Sequence, residues 1–446
     1  MAGISNIGAE AQKVNSVKTE KEAFFCTTKE LSRLGLEQIP TQFQSHKHLI
    51  YSSPATLAFN SPGAEGFGVK RAGLAVPDSI MLIVAPGCCG RNTSLISSMK
   101  EYNDRFYYLM MDETDIVTGR HLKKIPKAVE EICSVCPKKP SVVMICITCV
   151  DALLGTDMER VCKKAEERVE IPVRPCYMYA LTREGRKPPM VHVRQSLYSL
   201  LEPGKKKGNV VNLLGFFSPL VDDCEIYDLL HSAGVKTIHE ISRCKDYKEY
   251  QTMSEANFNL VLHHEARFAA EDFHNRLQIP FIELRRLYQI DKIENQYHAL
   301  GNALGVTFHD EKYKKQAENA LEKFRKKCPD ASFAIGECLN ADPFELSLAL
   351  IRYGFSVPEI YGTITVENFT YIRSLAKISP ETKVFSNMEP TMIYYDPAKS
   401  GVNLAIGKDA CYYHPDCPYV MWNGEEQPYG YAGVRRLFEQ LLEVVQ

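Results

Sequence analysis

The stretches IVAPGCCG (residues 83–90) and VMICITC (residues 143–149) are apolar runs that each end in cysteine. Each run predicts a buried parallel strand with its thiols at or just past the C-terminal end. In open α/β sheets, ligands and cofactors bind at that edge. Because the chain shows no secretory signal, thiols at this position favour an iron–sulfur cluster over disulfides.

Short apolar runs alternate with helical patterns along the whole chain, which is typical of parallel α/β layers. The predicted strands are 79–84, 105–110, 142–147, 170–175, 210–215, 236–241, 259–263, 280–283, 332–335, 383–386 and 402–406. The predicted helices are 122–135, 157–168, 224–233, 343–353 and 433–445, with a longer helical pattern over 291–327 that breaks near Gly305. A linker rich in Gly, Pro and Lys covers residues 202–209.

These patterns predict an α/β protein with three Rossmann-like domains built on parallel sheets. We expect a flexible N-terminal arm at residues 1–22 and a first α/β domain, with the cluster cysteines, at residues 23–205. A second α/β domain follows at residues 206–300. The third, with the C-terminal segment, spans residues 301–446.

Bulk properties exclude several function classes. A formal net charge of −2 over 446 residues gives no basic field, so no nucleic-acid partner is expected. No apolar stretch reaches the roughly 20 residues of a membrane span, and no signal peptide is visible, so we expect a cytoplasmic protein without a membrane partner. Neither Gly-rich nucleotide fingerprint follows a predicted strand, so this chain is not expected to bind a nucleotide through those motifs.

Several motifs, in order, resemble the nitrogenase component 1 family. TDIVTG at residues 114–119 is similar to the segment after that family's second cluster cysteine, and PGCCG at residues 86–90 is similar to its Gly-rich cysteine element. Later matches are NLLG at 212–215, LHH at 262–264, NLAIG at 403–407 and PYGYAG at 428–433. The resemblance covers roughly residues 45 to 440 and implies the fold and the cofactor chemistry of that family.

The resemblance implies an iron–sulfur cluster held by Cys89 and Cys149, with Cys88 as a further cofactor-binding candidate. The family's first cluster cysteine is missing, because NSPGA at residues 60–64 occupies its place. Two cysteines cannot complete a 4Fe–4S cluster, but a dimer that shares the cluster at the subunit interface supplies four. Alternatively Cys88, Cys146, Cys26 or a partner subunit completes the set.

The chain also departs from nitrogenase at the catalytic cofactor. The family's cofactor cysteine falls on His264, and its cofactor histidine falls near Met421 and Trp422. Both usual ligands are therefore replaced, and dinitrogen is not the expected substrate. The imidazole of His264 can still ligate iron. A further metal cofactor or a tetrapyrrole remains a candidate ligand.

Polar side chains that follow predicted strand ends are the candidate catalytic residues. These are His264, Arg267, Glu337 and Cys338, which we expect to line a cavity between the domains. If the strand extends that far, neighbouring residues point to opposite faces, so at most one of His263 and His264 is expected to reach that cavity. Asn387, Glu389, His414, Cys417 and Trp422 are further candidates.

The main functional prediction is a nitrogenase-like component 1 subunit. In this interpretation it is an iron–sulfur oxidoreductase that takes electrons from an ATP-dependent iron–sulfur reductase and reduces a bound substrate. Its other partner would be a second component 1-like chain, or itself as a dimer. One alternative is a scaffold for metal-cofactor assembly. The other is a non-catalytic partner chain in a heterodimeric nitrogenase-like complex.

Overall fold

The structure, a computed structural model, describes residues 22–44, 68–87, 102–148, 150, 154–178 and 187–445. Its strands are β1 (Phe25–Thr27), β2 (Ile80–Ala85), β3 (Phe106–Met110), β4 (Val143–Ile147), β5 (Val173–Tyr177), β6 (Val210–Leu214), β7 (Thr237–His239), β8 (Phe258–Val261), β9 (Phe281–Glu283), β10 (Ser332–Ile335), β11 (Ser356–Tyr361), β12 (Lys383–Phe385), β13 (Leu404–Ile406) and β14 (Tyr419–Val420). Its helices are α1 (Thr28–Leu34), α2 (Val69–Ala72), α3 (Glu113–Thr118), α4 (His121–Val135), α5 (Met158–Val169), α6 (Pro189–Tyr198), α7 (Glu225–Ser232), α8 (Tyr247–Gln251), α9 (Arg267–Leu277), α10 (Ile290–Leu304), α11 (Glu311–Lys327), α12 (Pro343–Arg352), α13 (Phe369–Ile378), α14 (Lys408–Tyr413) and α15 (Gly430–Val444). Among the described residues, no helix has the length and apolar character that a membrane crossing requires.

The first sheet carries both cysteine-ended runs. Its strand order is β3-β2-β4-β5, and all four strands are parallel. β2 and β4 are buried along their whole length, as expected of apolar strands covered by helices on both faces. Val84 of β2 lies opposite Ile147 of β4, so the two strands end side by side at the carboxyl edge of the sheet.

Two further sheets complete the α/β architecture. The second has the order β7-β6-β8-β9 and is parallel throughout, with Leu214 opposite Val261 where β6 and β8 end. The third is six-stranded, in the order β1-β12-β11-β10-β13-β14, and every pairing except the one made by β1 is parallel. The predicted α/β class with parallel sheets is therefore confirmed.

The N-terminal strand joins the third sheet. β1 pairs antiparallel with β12, with Phe25 opposite Phe385. The predicted first domain, residues 23–205, includes this short strand, but the strand belongs to the sheet built from the C-terminal part of the chain. The domain boundaries themselves stay predictions.

A buried carboxylate ties the C-terminal helix to the second sheet's helices. Glu225, in the first turn of α7, is 1% exposed and accepts hydrogen bonds from the backbone N–H groups of Tyr431 (2.6 Å) and Ala432 (3.0 Å). The hydroxyl of Tyr297 donates a third (2.7 Å). Because the first turn of a helix leaves N–H groups unpaired, Glu225 caps α15 from outside the helix.

Candidate functional site

The carboxyl ends of β2 and β4 form the first part of the site. Cys88, Cys89 and Cys149 lie outside the described residues, as do residues 60–64. The residues that lead to these cysteines are described: β2 ends at Ala85, beside the last residues of β4. Thr148, which follows β4, is 1% exposed, and its hydroxyl has no hydrogen-bond partner among the described residues.

Three other cysteines occupy packing positions, among them Cys146 and Cys26, which were considered above as cluster ligands. Cys146 is fully buried within β4 and lies opposite Cys176 of β5. Cys26 lies on β1 in the third sheet, where burial raises the pKa of its thiol to about 12. Cys136, at the end of α4, has its Sγ 3.1 Å from the hydroxyl of Tyr107. These contacts account for the three thiols as parts of the fold.

The carboxyl ends of β6 and β8 form the second part of the site, and here both histidines lie together. The rings of His263 and His264 stack with centroids 4.5 Å apart. The opposite-face prediction requires a strand that reaches both histidines, and it does not apply here, because β8 ends at Val261 and a 3-10 turn begins at His264. The backbone of His263 packs directly against residue 215, which must therefore be glycine. A Cβ at this position would lie 2.8 Å from the backbone nitrogen of His263.

A buried arginine fixes the position of this histidine pair. Arg194 of α6 is 5% exposed and donates to the carbonyl oxygen of Gly215 at 2.6 and 3.1 Å. It also donates to Oε2 of Glu265 at 2.8 Å, and that oxygen lies 3.7 Å from Nδ1 of His263. Arg194 therefore holds the end of β6 and the turn after β8 in one arrangement.

A second arginine approaches from the loop after β9. The guanidinium carbon of Arg286 lies 4.3 Å from the ring centroid of Phe216, which itself packs edge-on against His263. Arg286 donates to Oε1 of Gln427 at 2.6 Å. Its Nε is buried without a hydrogen-bond partner among the described residues, so one donor of this cation is unsatisfied.

The electrostatics of this group keep His263 uncharged. Partial burial lowers the pKa of His263 below its usual range, and the neighbouring His264 and the cations of Arg194 and Arg286 lower it further. The lone pair of this neutral imidazole is engaged, because Nδ1 of His263 accepts the backbone N–H of Glu265 at 3.4 Å. The sequence analysis missed Arg194 and Arg286 as members of the group. Arg286 could have been found from its place just after a strand end, whereas Arg194 lies within a helix and gives no such signal.

Arg267, one of the predicted catalytic residues, is engaged in an ion pair at the edge of the second sheet. Its Nε and one terminal nitrogen each lie 2.6 Å from an oxygen of Glu283, the last residue of β9. The pair is partly exposed. Arg267 therefore lies at the predicted edge, in the first turn of α9, with its charge opposed by a carboxylate.

Glu337 and Cys338 lie at the carboxyl edge of the third sheet, in a different hydrogen-bond network. Glu337 accepts from the backbone N–H of Thr363 at 2.8 Å, and burial raises the pKa of its carboxyl group. Asp409 accepts from the backbone N–H groups of Glu337 (2.8 Å) and Cys338 (2.9 Å). Gly336 is required here, because a Cβ would lie 2.1 Å from an oxygen of Asp409. This network joins the strand-end loops of the third sheet.

Trp422 occupies a buried and strained position. It is 7% exposed and has a φ of +47°, which is uncommon for a bulky residue. Its indole nitrogen donates to the hydroxyl of Tyr288 at 2.6 Å, and that hydroxyl donates to the carbonyl of Asn340 at 2.7 Å. The neighbouring Met421 is 44% exposed. Trp422 therefore fixes the contact between the loop after β14 and the loops after β9 and β10.

The remaining candidates also make contacts in the third sheet's unit, and Asn387 joins the Asp409 network. His414 is buried, with Nε2 at 2.8 Å from the hydroxyl of Tyr395 and 3.2 Å from Oε2 of Glu359. The other contacts are those of Asn387 with Asp409, Glu389 with the backbone of Thr391, and the Cys417 thiol with the carbonyl of Val402. Within the described ranges, no group of three or more His, Cys, Asp or Glu side chains is arranged to hold a metal ion.

Comparison with known protein families identifies the family to which this chain belongs. The family model for nitrogenase component 1 type oxidoreductases matches residues 65–446. This chain belongs to that family. The resemblance inferred from the motifs is thereby confirmed, and the component 1 chain can be compared with its relatives.

Curated relatives of this component 1 chain are named nitrogenase iron-molybdenum cofactor biosynthesis protein NifE. The relative from Nostoc sp. is 25% identical over 284 residues, which are 60% of this chain and 58% of the relative. The relative from Clostridium pasteurianum is 24% identical over 56% of this chain and 54% of its own length. The alignment with the relative from Sinorhizobium fredii is longer, at 24% identity over 87% of this chain and 82% of the relative. The chain thus spans a little over half the length of the first two relatives.

A solved structure supports the fold. The structure titled nitrogenase Cp1 at pH 6.5 superposes with a TM-score of 0.68 and covers 89% of this chain and 92% of its own. At 18% sequence identity, this likeness concerns the fold of the component 1 chain.

Proposed function

We propose that this component 1 chain is a scaffold on which a metal cofactor is assembled and from which it passes to an acceptor protein. The proposal rests on a difference between the two positions of this chain that match the cofactor ligands of nitrogenase. His264 is exposed on a turn, whereas Trp422 is buried and hydrogen-bonded. One side of the guest can thus be ligated while the other has no ligand. A guest held from one side can be released, which an assembly scaffold requires. The names of the relatives, cofactor biosynthesis proteins, agree with this role.

The exposed imidazole of His264 and the nearby cation of Arg286 suit a sulfide-rich cluster with negative charge. Imidazole ligates iron, and an arginine stabilises an anion beside it. The guest is the cargo of this reaction, and we propose an iron–sulfur-based cluster as its class. Arg194 acts as a positioning residue, since it contacts the turn that presents the histidines.

We further propose that Cys89 and Cys149 hold a resident iron–sulfur cluster, with Cys88 as the next candidate thiolate. The support is that β2 and β4, the strands that precede these cysteines in the sequence, are neighbours and end in register at one edge of the sheet. Such a cluster supplies one-electron transfer when bound. With two thiolates per chain, a 4Fe–4S cluster needs two more, which a second component 1-type chain or a second copy provides.

Exposed apolar side chains of the first sheet support a partner chain. β3 is the outermost described strand of that sheet, and Met110 on it is 63% exposed. Val117 in the following helix is 84% exposed. We propose that a partner chain packs at this edge of the sheet. An ATP-dependent iron–sulfur reductase stays the proposed electron donor.

A nitrogenase-like oxidoreductase is the second candidate function, and the family's description as oxidoreductases favours it. In that case His264, Arg267, Glu337 and Cys338 would contact a substrate such as a tetrapyrrole, and the cluster would reduce it repeatedly. The two candidates differ in stoichiometry, because a scaffold gives up its cargo once and an enzyme turns over.

Iron content of site variants tests the scaffold proposal. The protein is purified without oxygen, reconstituted with ferrous iron and sulfide, and compared with Cys89→Ala, Cys149→Ala and His264→Ala. We expect both cysteine variants to lose the EPR signal of the resident cluster. His264→Ala should keep that signal and lose the additional iron of the guest.

His274→Ala is the matched control. His274 is exposed on α9, so the substitution removes one imidazole without changing the site. Equal iron in the His264 and His274 variants would show that the histidine pair holds no guest. Retention of the EPR signal in both cysteine variants would contradict the proposed cluster ligands.

A further inference from the structure

Helices α1 and α13 pack side by side and leave a groove with a volume of about 400 Å³ on the surface of the third sheet's unit. The two helices run antiparallel. The start of α1 meets the residues just after α13, since the Thr28 hydroxyl donates to the carbonyl of Ser379 (2.7 Å) and the Lys29 N–H to that of Pro380 (3.1 Å). The groove is lined by Lys29, Ser32, Arg33, Arg373, Ala376 and Lys377. Four of these six side chains are cations.

The four cations lack a compensating charge. Within the part of the chain that the structure describes, none of them forms an ion pair or a side-chain hydrogen bond with a carboxylate. Lys29 and Arg33 are four residues apart on α1, and Arg373 and Lys377 are four apart on α13. Like charges at this spacing lie on one helix face and repel each other. Arg325 and Lys326 on α11, by contrast, both lie beside Glu322.

The antiparallel packing arranges the cations as two pairs across the groove. Lys29 lies at the level of Lys377, and Arg33 lies one helical turn further along, at the level of Arg373. The floor between the two pairs is made by the small residues Ser32 and Ala376. The arrangement thus has an open centre with positive charge on both sides, and an anion of some length can lie along it.

We propose that this groove binds an anion with at least two adjacent phosphoryl groups. Each arginine offers a planar fork of N–H donors that matches phosphate oxygens, and each lysine adds a point charge. The Ser32 hydroxyl adds a neutral donor from the floor. A bound polyphosphate would relieve the repulsion within each helix, which gives the site a stabilising effect on the fold. The groove uses none of the residues of the strand-end site, so this inference does not depend on the proposed function.

Calorimetric titration with inorganic tripolyphosphate tests the proposal. The full chain is titrated at low ionic strength with tripolyphosphate, with ATP and with adenosine. We expect saturable binding of one tripolyphosphate per chain, weakened by added salt because the cations are exposed. Equal affinity for ATP and tripolyphosphate would show that the phosphate chain alone is sufficient for binding. Tighter binding of ATP, with no binding of adenosine, identifies a nucleotide as the source of the phosphoryl groups. Both outcomes support the site.

The double variant Arg33→Gln with Arg373→Gln removes one cation pair and is expected to weaken tripolyphosphate binding at least tenfold. It should fold at least as stably as the wild type without ligand, because like-charge repulsion is removed. The matched control is Arg325→Gln with Lys326→Gln on α11, which removes the same charge beside Glu322. The proposal is overturned if the wild type shows no saturable binding, or if the groove variant and the control bind equally well.

Discussion

Replacement of Glu345 by Gln should change how stability depends on pH. Glu345 is fully buried in α12 and accepts hydrogen bonds from the backbone N–H of Tyr288 (2.9 Å) and from the backbone and side chain of Gln289 (3.3 and 3.0 Å). Burial raises the pKa of its carboxyl group from 4.5 to about 7. The folded state therefore holds this proton more tightly than the unfolded state does. The protonated carboxyl group contributes its full stabilisation below about pH 4.5. This stabilisation is lost as pH rises to about 7.

The size of the effect follows from the shift in pKa. A pKa difference of one unit corresponds to about 1.4 kcal/mol, so the change in unfolding free energy between pH 5 and pH 8 is about 2 to 3 kcal/mol. Glu345→Gln removes this titration. It also places an amide N–H₂ near backbone donors, which costs a pH-independent amount of about 1 to 3 kcal/mol. The difference in unfolding free energy between wild type and variant should therefore change with pH instead of staying constant.

Urea unfolding monitored by fluorescence at pH 5, 6, 7 and 8 measures this slope. Trp422 is the single tryptophan of the chain, and it hydrogen-bonds to Tyr288, which Glu345 holds. The signal thus reports on the loops that carry the site. Glu318→Gln, at an exposed position of α11, controls for the loss of one negative charge. A wild-type advantage that stays constant or grows from pH 5 to pH 8 would refute the reasoning.

Three further changes have expected outcomes. Arg194→Met leaves its partner carboxylate and a carbonyl without donors and should lower the unfolding free energy in urea by about 3 kcal/mol; a loss below 1 kcal/mol would contradict its positioning role. Gly336→Ala places a Cβ 2.1 Å from an oxygen of Asp409 and should lower the melting temperature by several degrees, whereas Gly208→Ala, with open space around it, should not. Glu225→Gln should speed amide hydrogen exchange in the first turn of α15, because an amide replaces one acceptor oxygen, and unchanged protection would count against the cap.

Much of the fold could be predicted because its strands are local apolar runs. The pattern predicts a strand over residues 332–335, which is the range of β10, and a break near Gly305, where α10 ends in a left-handed residue. β11 (Ser356–Tyr361) is missed because Pro358 interrupts its pattern. The register between β10 and β11 shifts just at this point, which accommodates the proline in an interior strand. β1 is missed because three residues carry no signal of their own and depend on distant β12.

The sequence predicts which strand ends carry the candidate site, but it does not predict which side chains contact one another there. The position of His264 after β8 follows from the alternation of strands and helices. The stacking of His263 on His264 depends on where β8 ends, and a pattern with an uncertainty of two residues cannot fix that. Arg194 comes from a helix that the pattern leaves unassigned, so its contact with Glu265 is a property of tertiary packing alone.

The most direct test of the scaffold role is a transfer experiment without oxygen. The reconstituted chain is mixed with a nitrogenase component 1 protein that lacks its cofactor, and the iron on each protein is measured after separation. We expect one cofactor equivalent per chain to move to the acceptor, none to move from His264→Ala, and His274→Ala to transfer as the wild type does. Retention of the iron by this chain, together with repeated reduction of a substrate when an ATP-dependent reductase is supplied, would contradict the scaffold role and establish the oxidoreductase instead.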